Sequence, residues 1–314
     1  MTLILSEKDV ESLLRMDEVV ASVEEAFRQQ GLGKASNWMR TRTRGSKSVL
    51  NVMHANLSYL GRAGLKSYIA TESGVKFCII LFDSTRAGPL AVMGADFLGR
   101  FRTGAASGVA TKHLYQKKTG TLAIMGSGKQ ALTQALAVRS VMVLDEVKVW
   151  SPNMGHRETF RGRLEADGFR AVAFDSPASA LEGADVACSI TSSDEPFITE
   201  EMLGTVSHLN IAGGNDPTHA EMSPAAVGLF DTVAVDDIPQ GKTEYGDLIQ
   251  AADAGTFTWD SAVELSAVVA GKHKPNGRTL FKSGGVALED VAVASMVYDK
   301  AMKSGDRYPN IELS

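Results

Sequence analysis

The segment Gly126-Ser127-Gly128-Lys129-Gln130-Ala131 has the form G-x-G-x-x-A, with an apolar run from Thr121 to Met125 before it and a helical pattern after it. That order suits a dinucleotide. Glycine at 126 permits a tight turn, glycine at 128 lets a pyrophosphate approach the backbone, and Ala131 lets helix and strand pack closely. The helix N-terminus brings amides and the positive end of its dipole to the anion, with Ser127, Lys129 and Gln130 completing the loop. A glycine-rich turn in a non-binding domain would carry the same letters, so context has to decide. Two later stretches, Thr191-Ser192-Ser193 and Gly213-Gly214-Asn215-Asp216, each follow an apolar run. Their small and hydroxyl side chains leave room for a ribose and a nicotinamide, although a plain loop would look similar. NAD-selective sites place Asp or Glu after the second strand, on the ribose 2′-hydroxyl. Here Ser151, Asn153 and Arg157 follow the strand-like Val147–Trp150, while Asp145 and Glu146 precede it, at its wrong end. Neutral Ser151 and Asn153 beside Arg157 tolerate a 2′-phosphate, so NADPH is expected ahead of NADH, with both open.

These groups need elements to hold them. Thr121–Met125, Val147–Trp150, Ala171–Phe174, Val186–Ile190, Val206–Ala212 and Thr232–Val235 read as short buried strands, and helical stretches such as Phe160–Asp167 lie among them. Strands alternating with helices imply a parallel, doubly wound sheet with ligands at the strand carboxyl ends. After Tyr245 the pattern is mostly helical and ends in a long stretch, Ala287–Met302. The first third differs. Ser6 can cap a single helix with Val10, Leu13, Leu14, Val20, Val23 and Phe27 on its apolar side, ending near Gly31–Gly33. Arg40, Arg42 and Arg44 alternate before the strand-like Val49–Met53, so a strand would put all three on one face, either as a solvated edge or as a cationic wall. Leu65–Ala70 and Lys76–Phe82 read as further strands, with a turn from Asp83 to Pro89.

The 314 residues are about twice the ~150-residue prior for one domain. A 44% hydrophobic and 22% charged composition is that of a globular chain. A net charge of −5 and a pI of about 5.7 argue against a nucleic-acid partner. The two cysteines, Cys78 and Cys188, lie in apolar runs, which argues against a disulfide scaffold or a cysteine-rich metal site and suits a reducing cytoplasm. No metal is expected. No signal peptide is visible in Met1–Val10, and no apolar run is long enough for a membrane span.

Several motifs taken together resemble the ornithine cyclodeaminase/mu-crystallin family over nearly the whole chain. They are Phe82-Asp83-Ser84 through Gly88-Pro89-Leu90-Ala91, Arg102-Thr103-Gly104-Ala105-Ala106-Ser107, the glycine loop at 126–131, and Thr191-Ser192-Ser193. Glu244-Tyr245-Gly246-Asp247-Leu248 and Phe281-Lys282-Ser283-Gly284-Gly285 complete the set. The form of the Arg102 motif is similar to that of the family's archaeal-type alanine dehydrogenases and ketimine reductases. The resemblance implies an α/β chain with a Rossmann-type dinucleotide domain, placed at 116–295. It also implies a smaller α+β substrate-binding and dimerisation domain, placed at 1–115 and 296–314, in a homodimer. Lys66 and Arg102 match the family's substrate-contacting lysine and arginine. Arg42 best matches an upstream arginine, with Arg40 and Arg44 as close competitors. Thr103 would lie between substrate and cofactor phosphate, and Ser283 falls in a cofactor-side motif.

Two departures carry chemistry. Cyclodeaminases of the family carry aspartate in a Gly-Gly-Asp-x-Pro loop, but here Asn215 holds that position and Asp216 follows it. An amide cannot act as a general base, so ornithine cyclisation is disfavoured unless Asp216 takes over. His54 stands where relatives carry proline, adding a protonatable group near the expected substrate site. The function expected is NAD(P)H-dependent reduction of an α-imino acid, equivalently an amino-acid dehydrogenase. Candidate substrates are the imine of pyruvate, iminosuccinate, and pyrroline- or piperideine-2-carboxylate. Ornithine cyclodeaminase and a mu-crystallin-like NADPH-binding protein are the alternatives.

Overall fold

Ser6 closes a capping box. Its amide and hydroxyl donate to the Asp9 carboxylate at 2.8 and 2.6 Å, and the Asp9 amide donates back to Ser6 Oγ at 3.3 Å. Helix α1, Glu7–Leu13, starts there, after strand β1, Thr2–Leu5. The single helix expected from the sequence is in fact two. Leu14 is extended (φ −85°, ψ 130°), and α2, Met16–Gly31, begins after Arg15. A continuous helix would carry Asp17 onto the face of Val10 and Leu13. The break leaves Asp17 exposed while Val19, Val20, Val23 and Phe27 are buried.

The computed structural model describes residues 1–306 and 308–312, which divide into two compact units: Met1–Arg102 with Val286–Ser314, and Thr103–Gly285. Arg307, Leu313 and Ser314, within the segment 296–314 assigned above to the first domain, lie outside the described residues. In the first unit, β2 (Ser36–Arg44), β3 (Ser48–Leu57), β4 (Arg62–Thr71), β5 (Gly74–Asp83) and β6 (Gly88–Gly94) form an antiparallel meander. β1 pairs parallel to β6, and β15, Asn310–Ile311, pairs antiparallel to β1. The sheet order is β15-β1-β6-β5-β4-β3-β2. Helix α3, Asp96–Leu114, follows β6, and α11, Ala287–Lys303, packs along α2 and the face of β3 and β4.

The second unit holds β7 (Thr119–Met125), β8 (Val143–Trp150), β9 (Ala171–Ala173), β10 (Val186–Ser189), β11 (His208–Ile211), β12 (Thr232–Val235), β13 (Val263–Glu264) and β14 (Thr279–Lys282). All pair in parallel, in the order β13-β12-β14-β11-β10-β7-β8-β9. The connections are α4 (Ala131–Arg139), α5 (Met154–Ala166), α6 (Pro177–Leu181), α7 (Pro224–Val227), α8 (Ile238–Glu244), α9 (Gly246–Asp253) and α10 (Leu265–Val269). Alternate residues of one strand feed two cores. Leu122 and Ile124 join Phe160 and Leu164 on one side, while Ala123 and Met125 join Leu209, Met222 and Leu248 on the other. That two-sided burial is the doubly wound α/β arrangement.

The boundaries differ from 115/116 and 295/296. A Cβ on Gly104 would lie 2.3 Å from Thr133 O, and one on Gly108 2.9 Å from Ala137 O, so α3 beyond Arg102 is committed to α4. The start of α11, in turn, belongs to the mixed sheet: a Cβ on Gly64 of β4 would lie 3.0 Å from the Val291 side chain. Two further corrections concern strands. β14 is central to the parallel sheet, in a region read as mostly helical; four residues are too few to show a period. β8 begins at Val143, so Asp145 and Glu146 lie inside it rather than before it, still at its amino-terminal half.

Candidate active site

In the mixed-sheet unit, Lys66 pairs across the sheet with Met53 and Ile79, which places it on the face that α11 covers. It is 3% exposed. Its Nζ donates to both oxygens of Asp290, at 3.0 and 3.2 Å. Arg102 reaches the same acid and its neighbour Glu289. Its Nε donates to Asp290 Oδ1 at 3.0 Å and its Nη1 to Glu289 Oε2 at 2.9 Å. Both carboxylates are fully buried in the first turn of α11, where the helix dipole favours negative charge. Burial pushes the Lys66 ammonium down to about 8; Arg102 and Arg40 push the same way, against the pull of Asp290. The rings of Tyr68 and Phe77 stand 6.0 and 5.6 Å from Nζ.

The three alternating arginines do share one face, graded in depth. Arg42 and Arg44 pair with Asn51 and Val49, and the ladder slips between Trp38 and Thr41, leaving Met39 and Arg40 opposite Met53. That bulge seats Arg40 beside the Lys66 row. Arg40 is 8% exposed, Arg42 half-buried and Arg44 exposed. Arg40, rather than Arg42, is therefore the arginine held next to Lys66. His54 does not join the group. It pairs with Trp38 and Leu65 on the opposite face, is exposed, and stacks on Trp38 with ring centroids 6.3 Å apart.

In the parallel-sheet unit, Gly126 has φ 112°, and a Cβ there would meet Ile190 O at 2.7 Å, so glycine is required. Gly128 is exposed, with nothing within 4 Å of a would-be Cβ. Gln130 stands at the N-cap of α4 without a side-chain capping bond. An open cradle and amides left uncapped by side chains fit a pyrophosphate. Lys129 is exposed beside them. Ser127 Oγ donates to Ser151 Oγ at 2.9 Å, tying this loop to the one after β8. Asn153 caps α5 by accepting from the His156 amide at 2.9 Å. Arg157 is buried. It donates to Ser151 O at 3.3 Å and ion-pairs with Asp175, so it supports this loop from below.

The other two strand-end loops are held by acids to which sequence reasoning assigned no role. Glu221 Oε1 accepts from Ser189 Oγ at 2.5 Å and from the Thr191 amide and hydroxyl at 2.8 and 2.5 Å, and Oε2 accepts from the Gly213 amide at 3.1 Å. Burial pushes this carboxyl up, the Lys282 charge opposing. Asp247 Oδ1 accepts from the amides of Glu221 and Met222 at 2.7 and 3.0 Å, and its Oδ2 pairs with Lys282 at 2.8 Å. Lys282 Nζ also donates to Gly213 O at 2.7 Å and Gly214 O at 3.3 Å. Thr191 and Ser193 are half-buried and Ser192 exposed. Asn215 is half-buried, and Asp216 Oδ1 closes a local turn by accepting from the Thr218 amide and hydroxyl at 3.0 and 2.7 Å. Ser283 donates to Asp236 Oδ2 at 3.0 Å, beside the Gly284 and Gly285 amides. Thr103 is buried on α3. Among the described residues, no group of three or more His, Cys, Asp or Glu is placed to hold a metal ion.

Glu289 and Asp290 were the most readable of the missed groups. Two adjacent acids between Leu288 and Val291 at the start of an apolar helix signal buried charge that needs cations.

A doubly wound parallel sheet with this glycine turn and small-residue loops at its carboxyl edge is a Rossmann-type dinucleotide fold, joined here to a mixed sheet with buried cations. The chain belongs to the ornithine cyclodeaminase/mu-crystallin family, whose model it matches over residues 1–305. It is 33% identical to an alanine dehydrogenase from Archaeoglobus fulgidus, over 96% of this chain and 95% of the relative. It is similar to the structure of Thermococcus litoralis Delta(1)-pyrroline-2-carboxylate reductase in complex with NADH and L-proline, at 31% identity and a TM-score of 0.92, covering 99% of this chain and 100% of that one. The iminosuccinate reductase of Paracoccus denitrificans in complex with NAD+ is also similar, at 25% identity and a TM-score of 0.90, with 97% of each chain covered. These relatives are oxidoreductases of amino or imino acids.

Proposed function

We propose that this protein is an NAD(P)H-dependent reductase of α-imino acids, running in reverse as an amino-acid dehydrogenase. The observation that carries the reading is the buried convergence of Lys66 and Arg102 on Asp290, with Glu289 also holding Arg102. Cations held this rigidly away from water suit a substrate carboxylate, and a lysine near neutrality suits proton transfer at nitrogen. When bound, the nicotinamide supplies the hydride. Gly126, Ser127, Gly128, Lys129, Gln130 and the first amides of α4 would hold its pyrophosphate. Thr191, Ser192, Ser193 and Asn215 would line the ribose and nicotinamide, with Ser283 acting through the loop that Asp236 organises. Thr103 would contact phosphate. Arg102 and Arg40 orient the carboxylate, and Lys66 gives its proton to the substrate nitrogen. The proton role falls to Lys66 rather than Asp216, whose Oδ1 closes the Thr218 turn.

Ser151 and Asn153 supply no carboxylate after β8 to oppose a 2′-phosphate, so NADPH is favoured as donor. A homodimer through the uncovered face of the mixed sheet is supported by Trp38, Leu50 and Ile69, which are 60, 42 and 42% exposed. Cytoplasmic residence accords with two free cysteines. No helix among the described residues is long and apolar enough to cross a membrane.

The test is a screen of NADPH and NADH oxidation. It uses pyruvate or other 2-oxo acids with ammonia or methylamine, cyclic ketimines, and oxaloacetate with ammonia. L-Ornithine with NAD is the cyclodeaminase control. Oxidation with an imine and none with ornithine supports the reading. Ammonia release from ornithine without net cofactor oxidation overturns it. The oxaloacetate arm reports whether the site accepts a second carboxylate.

A further inference from the structure

Lys66 and Arg102 come from β4 and α3, yet both point their nitrogens at one carboxylate on α11. A lysine whose only task was to bind a substrate carboxylate would not need an internal acid holding its ammonium through both oxygens. We infer that Asp290 is a positioning residue, which fixes the Lys66 ammonium by a two-oxygen contact and keeps it charged enough beside Arg102 to deliver a proton to the substrate nitrogen. This rests on the imine-reductase reading above and extends it to a residue that touches no substrate.

Three observations support it. Asp290 is fully buried, so its charge acts on Lys66 with little screening by water. Among the described residues, the other groups placed against Lys66 are the cations Arg102 and Arg40 and the rings of Tyr68 and Phe77. Arg40 from β2 and Arg102 from α3 lower its proton affinity, as does burial, and Asp290 opposes them. From β3 and β5 come uncharged Met53, Ile79 and Phe77, and Glu289 acts on Arg102. Finally, α3 packs against Nζ through Gly99, whose would-be Cβ lies at an ordinary contact distance of 3.7 Å, so this wall adds no charge beside the ammonium. Without Asp290, two arginines and a dry environment would leave Lys66 neutral at physiological pH, with no proton to give. Glu289 has the separate task of holding Arg102 Nη1.

The experiment titrates Lys66 by 13C NMR of protein labelled at lysine Cε, its resonance assigned as the one lost in Lys66→Arg. The best imine substrate is assayed in parallel. Wild type should titrate near pH 8. Asp290→Asn should move the midpoint down by at least one pH unit and the decline in reductive kcat with it. Glu289→Gln should mainly raise the substrate KM and move the midpoint less. Asp290→Glu is the variant safest for folding. It should keep the midpoint within half a unit while displacing Nζ, lowering kcat at least tenfold with the KM for NADPH unchanged. An unmoved midpoint in Asp290→Asn, a larger shift in Glu289→Gln, or full kcat in Asp290→Glu overturns the inference. If no imine supports cofactor oxidation by wild type, the reductase reading fails instead, and the NMR midpoints still report on Asp290.

Discussion

Lys66 and Lys282 are both almost wholly buried and both paired with an aspartate, yet the two regions use them differently. Lys282 meets Asp247 Oδ2, Gly213 O and Gly214 O, so its ammonium joins β14, α9 and the loop after β11. It acts as a tie. Lys66 places its contact on one carboxylate that it shares with Arg102, in the company of Arg40, and its proton affinity falls to about 8. Spread over three acceptors, a buried lysine becomes architecture. Crowded by cations around a single acid, it becomes a group that can change charge. The residue type is the same, and the neighbours decide.

Exchanging each lysine for methionine should separate the two roles. Lys66→Met should lower kcat/KM for the imine by at least 10³-fold, equivalent to about 4 kcal/mol, with denaturant stability within about 1 kcal/mol because Asp290 still has Arg102. Lys282→Met should do the reverse to stability, costing about 3–5 kcal/mol since it leaves Asp247 buried without a cation. Equal stability losses in the two variants would erase the distinction. Next in size is Gly126→Ala, where a φ of 112° and the Ile190 carbonyl oppose any side chain. We expect about 1–3 kcal/mol of lost nucleotide affinity by calorimetry, with pyruvate binding at the Lys66 cluster retained.

A pH profile sharpens the comparison further. With Lys66 as the proposed proton donor, reductive kcat should hold below pH 8 and fall about tenfold per unit above it. The fold is not the cause. An unfolded lysine keeps its ordinary value near 10.5, so between about pH 8 and 10.5 the unfolded chain binds more protons, and this group makes the native state more stable as pH rises. Thermal melts over that range should show no loss attributable to Lys66. The smallest effects belong to the arginine row. Arg40→Ala should cost about 10- to 100-fold in kcat/KM, as expected when one charged hydrogen-bonding partner is lost, Arg42→Ala less, and Arg44→Ala under about twofold, as for an exposed charge. A larger loss at Arg44 than at Arg40 would move the site outward along β2.

Much was legible in local patterns. The glycine turn, the small-residue loops and the alternating strands and helices are short-range features, set by φ preferences and burial periodicity within a few residues. The family resemblance pointed to Lys66 and Arg102 as candidate substrate contacts, and the period of two put Arg40, Arg42 and Arg44 on one face. What remained hidden was long-range. Asp290 meets Lys66 across 224 positions and Arg102 across 188, and no local rule names which acid will answer a buried cation. The bulge between Trp38 and Thr41 decided that Arg40, not Arg42, lies deepest, and a bulge leaves little mark on composition. β14 was obscured for a similar reason, its four residues being a strand only because β11 and β12 stand on either side. Sequence alone determined which residue types could handle a dinucleotide and a carboxylate. Tertiary structure determined which buried charges share a neighbour, because in a low-dielectric interior that proximity sets whether a lysine ties loops together or carries a proton.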